Sequence, residues 1–349
     1  MSEDEKPKRR VRYKGTHPKS FKEKYKEQNP EKYAEDVAKI IAQGKTPAGM
    51  HRSIMVEEIL DFLQIKPGEI GLDATLGYGG HSLKMLEALG GKGMLYATDV
   101  DPIELPRTTE RLKGFGFGEK IFQPRKMNFS DIDAVVAQSG QLNFILADLG
   151  VSSMQIDNPD RGFSFKIDGP LDLRLNPHYG KPASTFLKKA TAAELQELFA
   201  EYSDEIYAEE IANAIAYERS KGIAFNTTTQ LRDVIAETLE FIPKETRKEE
   251  IRKACQRCFQ ALRIAVNDEF EVLEKFLDKL PEALAPGGRV AILTFHSGED
   301  RRVKKAFQYF FREGIFSEYS KEPGRPSAEE CFQNPRAKSA KLRTAVKGF

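Results

Sequence analysis

Within the stretch GLDATLGYGGHSLKML, residues 71–86, Asp73 is followed by a glycine turn at Gly77, Gly79 and Gly80, and then by His81 at what reads as a helix start. Glycine costs chain entropy, so three within four positions mark a place where something must come very close to the backbone. Two further acids close apolar runs. Asp99 ends GMLYATD, 20 residues after Gly79, and Asp148 ends LNFILAD. A carboxylate in that position is expensive to bury without a partner. Asp99 is placed to accept hydrogen bonds from ribose hydroxyls.

Two cofactor classes share this plan. A dinucleotide site usually reads G-x-G-x-x-G, with the pyrophosphate held at the helix N-terminus. Here the third glycine position is Ser82. An acid ahead of G-x-G suits S-adenosylmethionine better, because that ligand ends in an amino acid and carries no phosphate. Joined with Asp99 and Asp148, the turn favours adenosylmethionine over NAD. His296-Ser297 does not make a hydrolase site, for want of a G-x-S-x-G elbow. Cys255 and Cys258 form C-x-x-C with no second pair to complete a zinc site, and the spacing reads as chance within a helical pattern.

Strands and helices must alternate to position these acids. From Ser53 the sequence reads as a helix (IMVEEILDFL), then strands EIGLDATL, GMLYATDVD, IFQPRKMNF and LNFILADLG with a helix over His81–Leu89. Such alternation predicts a parallel α/β sheet with right-handed crossovers. It stops after the fourth strand. Residues 155 to about 185 are rich in Gly, Pro and Asp, and a helical block follows, opened by a capping box at Thr191 and Glu194. One long helix is expected from about Cys258, through Leu262, Val266, Phe270, Leu273 and Leu277, before PGGRVAILTF returns to strand. The simplest account is an α/β domain interrupted by about a hundred helical residues.

Lys plus Arg number 54 and Asp plus Glu 53, so the net charge of +1 gives no global pull toward nucleic acid. The distribution is uneven. All ten basic residues between Met1 and Lys26 fall from Lys6 onward, interleaved with Tyr13, Phe21 and Tyr25, and the stretch from Asn334 has five basic residues and no acid. Both ends are candidates to neutralise phosphates, in a binding that weakens with salt, and the N-terminal one reads equally as a disordered, solvated tail. NPEKYAEDVAKIIAQGK reads as one short helix. No apolar run approaches the roughly 18 residues that span a bilayer, and the basic start lacks an apolar signal region. Three cysteines are too few for a disulfide framework and fit a cytoplasmic setting.

Longer motifs sharpen the reading. HRSIMVEEIL, DATLGYGGH, LADLGVSSMQIDNPDRGFSFKIDGPLDLR (Leu146–Arg174), FQALRIAVN (Phe259–Asn267), FHSGEDR (Phe295–Arg301) and NPRAKSAKLR (Asn334–Arg343) together resemble the MraW family, in the same order along the chain. The resemblance implies a Rossmann-like class I methyltransferase sheet with an inserted all-helical domain. The expected division is a basic extension over 1–45, a methyltransferase domain over 46–155 and 256–349, and a helical substrate-recognition domain over 156–255. It further implies methyl transfer from S-adenosylmethionine to the exocyclic N4 amine of a cytidine in the decoding region of small-subunit ribosomal RNA. The partner is then small ribosomal subunit RNA, with no membrane and no metal required, as a monomer or a homodimer. Carried over residue by residue, the cofactor contacts are Gly79, Gly80, His81, Asp99, Phe129, Asp148 and Gln155, with Asp148 also catalytic.

The N4 lone pair is delocalised into the pyrimidine, so acceptors for its N–H groups and in-line alignment are what such a reaction requires. Asp148 with the carbonyls of Leu149 and Gly150 is the candidate acceptor set. Many amino-methyltransferases follow this acid with a Pro-Pro-aromatic run; DLGV stands here. A stacking partner for the base must then come from Phe163 and Phe165, or from Phe295 and His296. The Phe163/Phe165 pair reads equally as one face of a packed strand. His296 reads as a base, a phosphate contact or a core histidine. Arg161, Arg174, Arg263, Glu299, Asp300 and Arg301 hold RNA or each other. FHSGED has Gly298 where the family usually has an apolar residue, so packing there should differ.

Overall fold

The computed structural model describes residues 53–349. The expected short helix and the basic arm before Lys45 lie outside them. After helix α1 (Val56–Leu63) the chain runs β1 (Ile70–Asp73), α2 (Gly80–Leu89), β2 (Met94–Asp99), α3 (Glu104–Gly114), β3 (Phe122–Lys126), α4 (Ile132–Ser139) and β4 (Leu142–Asp148). These match the alternation read from the sequence. Strand residues alternate faces, so Leu95, Ala97, Phe144 and Leu146 pack against α1, α2 and α3. Tyr96, Ile145 and Ala147 pack with α4 on the other face. Burial on both faces is what turns these strands into near-continuous apolar runs.

Five helices then follow a short α5 (Ser153–Asp157) and an irregular stretch: α6 (Ala183–Lys189), α7 (Ala192–Ser203), α8 (Ala208–Ser220), α9 (Thr228–Thr238) and α10 (Lys244–Val266). They share one apolar core from Leu171 to Leu262, with Phe199, Leu231 and Cys258 fully enclosed. The Thr191 and Glu194 capping box opens α7 as expected. Cys255 and Cys258 sit in the interior of α10, and burial pushes the Cys255 thiol up to about 12 and that of Cys258 well above its ordinary value. Thiols held protonated in this way act as packing groups.

The single long helix expected from Cys258 is two. α10 ends at Val266 and α11 (Glu269–Ala283) starts after Asp268, whose φ of 50° turns the chain. Asn267 holds the break with its side chain, donating to the carbonyls of Leu173 and Arg263 while accepting from Leu175 N. Asn and Asp tolerate this left-handed conformation, and the apolar period running on through Phe270 and Leu273 hid the interruption.

β5 (Leu284–Thr294) and α12 (Ser297–Arg312) complete the parallel part. Two strands absent from the sequence reading follow, β6 (Phe316–Tyr319) and, after α13 (Ala328–Gln333), β7 (Lys341–Lys347), both antiparallel. The order is β3-β2-β1-β4-β5-β7-β6, a Rossmann-like sheet. Strand order reverses between β1 and β4, so the crevice beyond their carboxyl ends is where a ligand belongs. No helix among the described residues is long and apolar enough to cross a membrane.

Candidate active site

Four strand ends meet at that crevice. Two of the three turn glycines are required by neighbouring protein atoms. A Cβ on Gly79, whose φ is 77°, would lie 2.7 Å from Thr108 Cγ2, and one on Gly80 would lie 2.0 Å from Ser53 Oγ. Gly77 differs. A Cβ there would meet only the Thr75 carbonyl, at 3.7 Å, so the turn opens outward at this residue. Its N–H donates to Asp99 Oδ2 at 2.8 Å, and its carbonyl accepts from Thr108 Oγ1.

Asp73 is buried and faces inward. Its carboxylate accepts from Ser82 Oγ at 2.6 Å and from Thr75 N at 3.1 Å, so it ties the turn to α2. Asp99 accepts from Gly77 N and Asp101 N, both at 2.8 Å, and burial pushes its carboxyl up to about 6. Phe129 stands just past β3, whose continuation Met127 donates to the Asp99 carbonyl, and its ring meets Phe276 edge-on at 5.1 Å.

Asp148 ends β4 beside this turn. Thr75 Oγ1 accepts from its backbone N–H at 2.6 Å, which fixes the strand end against the loop. Its carboxylate accepts no hydrogen bond among the described residues and keeps 31% exposure, with His81 Nδ1 3.5 Å from Oδ2. Burial pushes it up to about 6; Asp73 and Glu299 add to the rise and His81 opposes it.

This geometry tests the cofactor. Asp73, Asp99, Asp101 and Asp148 crowd one sheet edge, and an open turn lies above Gly77. A pyrophosphate would meet like charge there, whereas a ligand carrying a sulfonium, an ammonium and ribose hydroxyls meets acceptors. The residues fit S-adenosylmethionine.

Asp101 is the residue the sequence reading missed. Fully enclosed, it accepts from Ile103 N and Glu104 N through Oδ1, and from Gln155 Nε2 at 2.9 Å and Arg161 Nη1 at 2.8 Å through Oδ2. Arg161 goes on to the carbonyls of Arg174 and Leu175. The D-x-D-P spelling at Asp99–Pro102 was the available signal. Gln155 stands beside the site, yet its amide already serves Asp101 and, in the α5 capping box, Ser152 N.

Of the substrate candidates only His296 follows a strand end at this edge. Phe163 and Phe165 pack on the helical core, Phe165 edge-on to Phe259 at 5.6 Å. Arg174 makes a two-pronged pair with Asp172, both contacts 2.7 Å. Arg301 reaches Asp204 in an exposed pair. Most of the last basic stretch is also engaged within the fold. Arg336 pairs Asp157, Lys341 and Arg343 both pair Asp300, and Lys347 donates to the Pro281 and Leu284 carbonyls, leaving Lys338 exposed.

His296 lies at the end of β5, nine-tenths buried, with Nε2 3.1 Å from Glu299 Oε1 in a geometry that makes no hydrogen bond. Glu299 accepts from Phe295 N, and despite burial its carboxyl is lowered by His296 and Arg263. Glu269, His296 and Glu299 bring ligand atoms within 4.8 Å of one another. Arg263 already takes both Glu269 oxygens at 2.8 Å, supplying the positive charge a metal would bring. Gly298 explains the departure in FHSGED, since a Cβ there would lie 2.5 Å from Phe270 Cζ. The Phe270 ring fills that space, with Arg302 stacked 3.5 Å from its centroid.

Comparison with known proteins agrees with this construction. The chain is 64% identical over 344 residues to ribosomal RNA small subunit methyltransferase H 2 of Alkaliphilus metalliredigens, covering 99% of each. It is 62% identical to ribosomal RNA small subunit methyltransferase H 1 of Lachnoclostridium phytofermentans, covering 97% of this chain and 93% of that one. A 41% identical relative, ribosomal RNA small subunit methyltransferase H of Trichlorobacter lovleyi, is covered over 98% of its length by 85% of this chain. The sequence profile of the MraW methylase family matches residues 48–348, and the chain belongs to that family.

Proposed function

We propose that the protein transfers a methyl group from S-adenosylmethionine to the exocyclic N4 amine of a cytidine in the decoding region of small-subunit ribosomal RNA, in the cytoplasm. The names of its relatives support ribosomal RNA of the small subunit as the substrate. The observation that carries the chemistry is Asp148. It is the acid at the sheet edge whose carboxylate, among the described residues, takes no hydrogen bond. A side chain left in that state at a ligand crevice is available to an incoming N–H donor.

Bound there, S-adenosylmethionine supplies an electrophilic methyl. Asp99 would hold the ribose hydroxyls, Phe129 the adenine, and the turn at Gly77–His81 the amino acid end. Asp148 and the carbonyls of Leu149 and Gly150 accept the N4 hydrogens, which favours the tetrahedral nitrogen of the transition state over the flat ground state. The cytidine must be unpaired or flipped to present N4. His296, whose ring nitrogens make no hydrogen bond among the described residues, is our candidate for contact with the base. Phe163, Phe165, Arg174 and Arg301 then act by shaping and holding the segment around the RNA. Residues 156–255 form the substrate-recognition part in this reading.

Because the acceptor must be ionised, activity should rise as pH passes about 6, the value to which Asp148 is pushed. The test is transfer of labelled methyl to small subunits lacking the modification, followed by nucleoside identification, with Asp148→Ala alongside. N4-methylcytidine at one site, reduced at least about a hundredfold in the variant, is the expected result. Cofactor binding without transfer to subunits or naked RNA would replace catalysis with an assembly role.

A further inference from the structure

The described part of the HRSIMVEEIL segment, residues 53–60, lies ahead of the sheet. Its structural use is to hold His81. Gly80 lacks a Cβ, so Ser53 Oγ can occupy the place a side chain would take. This brings the Ile54 carbonyl 3.0 Å from His81 Nε2. Ile54 and Met55 are buried, and Met55 N donates to Glu330 Oε1, so the segment is fixed from behind as well.

A carbonyl only accepts, so His81 Nε2 carries a proton. In the neutral ring Nδ1 is then a lone pair, and it points at Asp148 Oδ2 from 3.5 Å. Lone pair against carboxylate is unfavourable; a proton on Nδ1 turns the contact into an ion pair. We propose that His81 is a positioning residue for Asp148, its Nδ1 locked toward the carboxylate by the Ile54 carbonyl so that a ring proton holds Asp148 in its anionic, acceptor form. This rests on the role given to Asp148 above.

The charged neighbours make such a device necessary. Asp73 on β1 and Glu299 on α12 both face Asp148 and, with burial, favour its protonated form. His81 on α2 is the group that opposes them, while His296 and Arg263 favour the charged form of Glu299 and Arg263 is itself held by Glu269. In the reaction the N4 lone pair forms the bond to the methyl carbon, and the sulfur–carbon pair leaves with sulfur as a neutral thioether. The proton shed by the methylated nitrogen goes to Asp148 and from its exposed edge to water.

His81→Gln is the informative variant, because its amide reaches toward Ile54 as Nε2 does but offers nothing at Nδ1. Expected is an upward move of the acid limb of kcat by about one pH unit, so the ratio of kcat at pH 8.5 to kcat at pH 6 grows about fivefold, from about two to about ten. An unmoved limb, whatever happens to kcat or cofactor affinity, overturns the proposal and leaves His81 as a structural or cofactor residue. A second measurement needs no substrate. The 15N shifts of the His81 ring should show Nε2–H, and the Nδ1 shift should move in Asp148→Asn. An unchanged Nδ1 shift also overturns it. Wild-type protein that transfers no methyl but shows the Nδ1 response would remove the catalytic reading while keeping the coupling.

Discussion

The sheet edge and the helical block treat buried charge in opposite ways. In the helical block Glu205 is enclosed and met at once by Arg257, with contacts of 2.8 and 3.2 Å, and it is the one buried charged side chain from α6 to α10 among the described residues. At the sheet edge Asp73, Asp99, Asp101 and Asp148 crowd together, with the Arg161 guanidinium on Asp101 and the His81 ring beside Asp148. Two of these acids are pushed up to about 6, which means the fold holds them at a cost. One region has been settled for stability. The other keeps unspent acceptors, the arrangement that binding and catalysis need.

Four changes probe that contrast. Asp101→Ala should be the most damaging, because it leaves the Arg161 guanidinium buried without its carboxylate; a loss of about 3–5 kcal/mol by denaturant unfolding is expected. A loss below about 1 kcal/mol would mean that this acid, too, is held for ligand and not for structure. Gly298→Leu should cost about 1–3 kcal/mol by driving its side chain into Phe270. Combined with Phe270→Ala it should lose at least about 1 kcal/mol less than the sum of the single changes, since the two share one volume.

Asp148→Asn should act in the opposite direction. The folded-state value of Asp148, about 6, lies above its ordinary 3.8, so its contribution is present at low pH and lost as pH rises through about 6. A neutral amide escapes that loss. The ligand-free variant should therefore be about 1 kcal/mol more stable than wild type at pH 8, with the gain fading toward pH 5 and methyl transfer abolished. Equal stability at both pH values would show that the edge carries no such cost. Smallest is Arg301→Ala, which removes an exposed pair with Asp204 and should change stability by less than about 0.5 kcal/mol. If Arg301 meets phosphate, its loss instead lowers the salt slope of RNA binding by about one.

The same contrast divides what was legible in the sequence. Strand ends, the glycine turn and the acids that close β2 and β4 were readable because each is set by residues a few positions apart. Asp101 was not, because its partners Gln155 and Arg161 lie 54 and 60 residues away, and the local D-x-D-P spelling does not say which residues it meets. β6 and β7 escaped for a related reason. The run from Asn334 reads as a basic tail until Asp300 and the β5 edge are placed beside it. The break between α10 and α11 was hidden by an apolar period that continues across it, although Asn267 and Asp268 are the residue types that tolerate such a turn. The turn glycines were legible as a close approach but not as to what approaches. At Gly79 and Gly80 it is Thr108 and Ser53.

The strand order has a consequence for how the molecule behaves in a crowded solution. An open sheet presents two unpaired edges, and such edges invite strands from other chains. Among the described residues the edges are β3 and β6. β3 carries Pro124, which has no N–H to offer, followed by Arg125 and Lys126. β6 spans Phe316–Tyr319, shifts register between Phe316 and Glu318, and exposes Ser317 and Glu318. The long apolar strands β4 and β5 are shut inside the sheet, so neither border gives a foreign strand a flat, neutral row of donors and acceptors on which to grow an aggregate.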